Sequence, residues 1–147
     1  MNRHLFKILA VTFIFSAITR PLSGSDLLVE KFQEGVRLSN AGEYQKALSV
    51  YTQIISADPS YAAAHLGLGI AYINLKKPED ALPPIRRASE LNPRNRKAFF
   101  ILARLYERAE QRTNAIRAWE HYLTLNPEAK YGKIAKRHLE RLKKDVR

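Results

Sequence analysis

Four histidines and fourteen carboxylates are the groups through which this chain of 147 residues could do acid–base or metal chemistry. It has no cysteine to add a thiolate, a disulfide or a lipid attachment point. The spacing of these groups does not assemble a site. His4 lies in an apolar leader, His65 stands by itself, and His121 and His138 fall on separate predicted helices without metal-ligand spacing. No paired-carboxylate motif, glycine-rich phosphate loop or nucleophile elbow is present. The sequence therefore reads as non-catalytic, with no cofactor and no metal.

Positive charge is what the chain has in excess. Its 25 lysines and arginines give a net charge of +11 and a pI near 10.1. Arg86-Arg87, Arg94, Arg96-Lys97, Arg104, Arg108 and the C-terminal lysines form the electrostatic footprint of a polyanion binder. They are spread over several predicted helices, however, and no base-reading motif accompanies them. Nucleic-acid binding is accordingly the alternative reading and not the first one.

The elements that carry these charges repeat. Pro59, Pro93 and Pro127 recur at a spacing of 34, as do Ala47, Ala81 and Ala115. The small residues Gly35, Gly69 and Ala103 and the large residues Tyr51, Ile85 and Trp119 keep the same interval. A period of this length marks stacked helix–turn–helix units. Small residues facing small residues let the two helices of a unit approach closely. Asp58-Pro59, Asn92-Pro93 and Asn126-Pro127 each place a capping side chain before a proline, predicting a helix start there. Gly42 suits the end of a first helix. Pro83 and Pro84 conflict with a helix starting at Pro78, so that helix either begins later or is kinked.

The second unit reads His65-x2-Leu68-Gly69-x2-Tyr72, Ala81-x3-Ile85, Pro93, and the third Phe99-x2-Leu102-Ala103-x2-Tyr106, Ala115-x3-Trp119, Pro127. The first is looser, with Lys31 and Glu34 at positions that are apolar in the others. This resembles the tetratricopeptide repeat over residues 28 to about 129. The resemblance implies an all-α, right-handed superhelical solenoid of antiparallel helix pairs. The units are 26–61, 62–95 and 96–127, followed by a capping helix over 128–147.

In that fold one face of each first helix lines a concave groove. Here it would carry Val29, Phe32, Val36 and Ser39, then Ala63, Leu66, Ile70 and Ile73, then Lys97, Phe100, Arg104 and Glu107. A solvent-facing stripe should be polar, so two apolar repeats followed by a positive one are informative. The resemblance thus assigns Phe32, Val36, Leu66, Ile70, Ile73, Lys97, Phe100 and Arg104 to a partner-binding groove for a peptide or amphipathic segment with an apolar face and acidic groups. The carboxylate clamp that some members use on chaperone tails is missing. Its basic and amide positions hold Phe32, Val36, Gly67, Lys97 and Ile101, of which only Lys97 fits.

Residues 1–25 differ from the rest. Arg3 and Lys7 precede an apolar run from Ile8 to Ile18, and Ser23-Gly24-Ser25 supplies a turn-prone, small-residue end. Basic, apolar, then small is the order of a secretory signal peptide. The run is short for a membrane span, although an uncleaved anchor or a buried helix is the alternative. Export to a periplasmic or extracellular space follows as the expectation. At the other end, the terminal helix sets Tyr131, Ile134, Ala135, Leu142 and Val146 against many lysines and arginines. It serves as a polar-faced cap for the repeats, with contact to an anionic membrane as its functional alternative. The oligomeric state is not encoded in any of these features.

Overall fold

A computed structural model of the chain describes residues 23–125 and 131–144. The leader up to residue 22 and the Asn126-Pro127 cap lie outside the described residues. The described residues form seven helices: α1 (Gly24–Asn40), α2 (Tyr44–Ala57), α3 (Ala62–Asn74), α4 (Pro78–Leu91), α5 (Arg96–Arg108), α6 (Arg112–Leu125) and α7 (Gly132–Lys144). Connections of a few residues force consecutive helices to run antiparallel. Each helix packs on its neighbours in sequence, and α1 also touches α3. The architecture is an all-α helical-repeat solenoid.

The 34-residue period is also a period in burial. Ala47, Ala81 and Ala115 are fully buried, and so are Ile85 and Trp119, with Tyr51 at 2% exposure. Gly35, Gly69 and Ala103 are buried opposite them. A Cβ on Gly69 would collide with the Ile85 side chain, which is why no larger residue fits there. The Tyr51 ring occupies the same kind of gap on two sides: a Cβ on Gly35 or Gly67 would come within 2.7 or 2.6 Å of it. Its hydroxyl lies 3.2 Å from Ser39 Oγ. Tyr51 thereby ties α1, α2 and α3 into one core with Val50, Ile54 and Ala64. A second core joins Ile85, Leu102, Leu105, Trp119, Tyr122 and Ala135, reaching from α4 to α7.

The first helix of every pair ends in the same way. Gly42, Lys76 and Glu110, again 34 apart, take left-handed φ values of 78°, 62° and 56°. Glu43, Lys77 and Gln111 donate backbone N–H bonds to Leu38, Tyr72 and Tyr106, the long closing bond of a Schellman motif. Only Gly42 meets this geometry without steric cost.

Three expectations are decided here, two of them by correction. Asp58 and Asn92 do not start helices. They end α2 and α4, and α3 and α5 begin beyond the proline turns, at Ala62 and Arg96. Asp58 and Asn92 instead accept bonds from the backbone N–H groups of Ser60 and Arg94, two residues on. The hydroxyl and N–H of Ser60 hold the Asp58 carboxyl below its ordinary value of 3.8. At α5 the cap is Asn95, whose Oδ1 accepts from Ala98 N at 3.1 Å. Second, of the alternatives raised by Pro83 and Pro84 the later start is excluded: α4 begins at Pro78, as supposed, and continues through both prolines. Its other face, Ala81, Ile85 and Ala88, is fully buried, and that burial offsets two missing backbone donors. Third, Ser23-Gly24-Ser25 is no turn. Ser23 caps α1 in a reciprocal box with Asp26, and Gly24 and Ser25 are helical.

Candidate functional site

Helices α1, α3 and α5 carry the residues assigned to the groove. On α3, Leu66, Ile70 and Ile73 follow one another at helical spacing and lie half-buried against the second core. On α5, Lys97, Phe100 and Arg104 continue the row, with both cations exposed. Phe100 is the fixed point of this region. Its ring stands edge-on to Trp119 and Tyr122, with centroids 5.3 and 5.5 Å away, and 5.2 Å from Tyr131. Those contacts hold the ring in one orientation.

Phe100 also separates two cavities. One, of about 510 Å³, is lined by Arg94, Arg96, Lys97, Phe100, Tyr122, Leu125 and Tyr131. The other, of about 680 Å³, includes Ile73, Phe100, Ile101, Arg104, Glu107 and Arg108. The structure therefore brings Ile73, Phe100 and Arg104 together, and separately Lys97 with Phe100. Leu66 and Ile70 share the α3 face with Ile73 but line neither cavity. Phe32 packs between Tyr51 and Tyr61, with ring centroids 5.9 and 5.6 Å away. Val36 is 36% exposed and, like Phe32, borders neither cavity.

Glu107 has a role that its place on the groove face does not suggest. Its side chain is 13% exposed and accepts from Trp119 Nε1 at 2.5 Å, His138 Nδ1 at 2.9 Å and Arg141 Nη2 at 2.8 Å. One carboxylate on α5 thus gathers α6 and α7. Arg112 on α6 donates from Nε to the Leu142 carbonyl at 2.8 Å, holding the far end of α7. The sequence offered a single signal for this, an acid at the end of an otherwise basic α5 face.

The remaining histidines of the described residues are structural. His65 and His121 donate from Nε2 to the carbonyls of Pro59 and Pro93 at 2.9 and 2.8 Å, pinning the inter-repeat turns. Among the described residues no group of three histidines or carboxylates is placed to hold a metal ion. Nor is any described helix long and apolar enough to cross a membrane.

Tetratricopeptide repeat models match the chain over residues 40–96 and 75–130. The mouse PEX5-related protein is 29% identical over 100 residues, which are 68% of this chain and 18% of that protein. The first TPR of Spaghetti, solved with an HSP90 peptide, superposes with a TM-score of 0.72 at 22% identity, covering 86% of this chain and 98% of that one. The Yersinia enterocolitica secretion chaperone SycD, solved with a peptide of the translocator YopD, gives 0.72 at 15% identity over 87% and 100%. The helix pairs, their period and these matches agree: the chain belongs to the tetratricopeptide repeat family.

Proposed function

We propose that this protein is a non-catalytic scaffold that holds a peptide or amphipathic segment along the face formed by α1, α3 and α5. The observation that carries this reading is the row from Leu66, Ile70 and Ile73 to Phe100, an apolar track ending between two cavities and flanked by Lys97 and Arg104. Such a track accepts an apolar helix face or alternate side chains of an extended strand. The two cations select acidic groups beside it. Spaghetti and SycD, solved with peptides, support the same use of the fold. The partner chemistry is this chain's own, because the chaperone-tail clamp is not reproduced at Phe32, Val36, Gly67 and Ile101. The leader directs the protein to the cell envelope or beyond, where it organises an assembly. Sequencing the mature N-terminus tests that address.

The groove is tested by Phe32→Glu combined with Ile70→Glu, with folding followed by circular dichroism. Loss of the crosslinked partner from a variant that still folds is expected, whereas retention would remove the groove as the site. One observation favours a second role. Lys133, Arg137 and Lys144 lie exposed on one face of α7 with no ion pair among the described residues, and Tyr131 and Ile134 are exposed as well. Contact with anionic lipid predicts binding to acidic and not neutral vesicles, weakening with salt.

A further inference from the structure

We infer that the cavity beneath Arg94, Arg96 and Lys97 is an acid-selecting subsite of the groove, which receives a partner's aspartate or glutamate lying next to a large apolar side chain. The inference rests on the groove reading and adds Arg94 and Arg96, which that reading did not use, to Lys97. Three cations converge on one opening of about 510 Å³, and its other lining residues among those described are Phe100, Tyr122, Leu125 and Tyr131. None of the three has an ion pair among the described residues. Elsewhere on the third unit and α7, Arg108 pairs with Glu79, Arg141 with Glu107 and Lys143 with Glu120, and the cluster of Arg94, Arg96 and Lys97 is set apart by sharing one opening. The charge at this opening is left for something outside the described chain.

The surrounding field has the same sign. Arg96 and Lys97 lie in the first turn of α5, which contains no acidic residue, so the positive end of the helix is not compensated. Arg104 does not belong to this subsite. It borders the other cavity, whose lining includes the Glu107 carboxylate.

A carboxylate with an apolar neighbour fits better than a nucleic acid. Single strands need a charged track with several open aromatic faces. Here the cations form one cluster, and Phe100 and Tyr122 are packed against each other and against Trp119. The floor suits one side chain against its wall, with the acid held at the rim by guanidinium forks.

The test is selection of random displayed peptides on the full protein, on Arg94→Gln/Arg96→Gln, and on Ile70→Glu. Peptides taken on the parent should be enriched in aspartate or glutamate next to an aromatic or aliphatic residue. The arginine variant, with an unchanged melting curve, should lose the acid enrichment and keep the apolar one. One selected peptide, measured by fluorescence anisotropy, should weaken roughly tenfold when its acid becomes the amide or when the two arginines are replaced. The two changes together should cost little more than either one. Acid-free peptides that still need Ile70 would overturn the subsite and leave the groove standing. Peptides indifferent to Ile70→Glu, or none selected, would remove the groove as well. A single-stranded oligonucleotide whose binding falls with the arginine variant, where no acidic peptide is selected, would also overturn the assignment.

Discussion

Lys76 and Glu110 sit in left-handed backbone where the first unit has Gly42. A side chain in that region costs about 1–2 kcal/mol, because Cβ crowds the following carbonyl. Glycine relieves the clash but enlarges the unfolded ensemble by about 0.4–1 kcal/mol. Lys76→Gly and Glu110→Gly should therefore each raise stability by roughly 0.5–1 kcal/mol. Denaturant midpoints with unchanged slopes check this, and a fall in midpoint would show that the cost had been overestimated. At the same scale, Gly35, Gly67 and Gly69 have a different reason to be glycine. They make room for the side chains of Tyr51 and Ile85, and none of them needs a positive φ.

At the level of elements, α7 is held by polar bonds as much as by apolar burial. Only Gly132 and Ala135 are buried along it. Glu107 supplies the main attachment, and Arg112 secures the last turn through the Leu142 carbonyl. Glu107→Ala leaves the Trp119 N–H, His138 and Arg141 without their acceptor. The expected cost is about 1–3 kcal/mol. Amide exchange should accelerate in α7 and the end of α6 and stay unchanged in α1 and α2. Uniform acceleration along the chain would instead mean that Glu107 supports the whole fold. Helix α4 shows the opposite balance, since packing of Ala81, Ile85 and Ala88 sustains it through two prolines.

Across the whole molecule, each pair covers the apolar face of the next, so stability spreads by nearest-neighbour contacts. The two cores meet along α3, and α7 closes the second of them with Ala135. A chain ending at Leu125 would expose the side of Trp119 on which His138 stacks, at 5.3 Å between ring centroids. Trp119 is the only tryptophan, so its fluorescence reports the third pair directly. In the truncated protein the fluorescence transition should move to lower denaturant than the circular dichroism transition. Coincident transitions would mean that the third pair does not depend on its cap.

Much of this was legible in the residues alone. Positions 34 apart share a residue type because each unit places them in the same contact, so periodicity by itself gave the helix pairs and the small–large core, while the residue pattern carried only the resemblance to the family. Local rules misplaced the helix starts, since an Asx-Pro step can equally end one helix by folding into a turn. Side-chain destinations needed the tertiary structure. Glu107 lies in register with groove residues, yet three donors from α6 and α7 draw it inward. Arg94, Arg96 and Lys97 are neighbours in sequence, and the packing of the chain before α7 against α5 sets Tyr131 beside them, 5.2 Å from Phe100. No spacing along the chain records that Tyr122 and Tyr131 wall the same cavity, because helices packing across long separations in sequence bring them there.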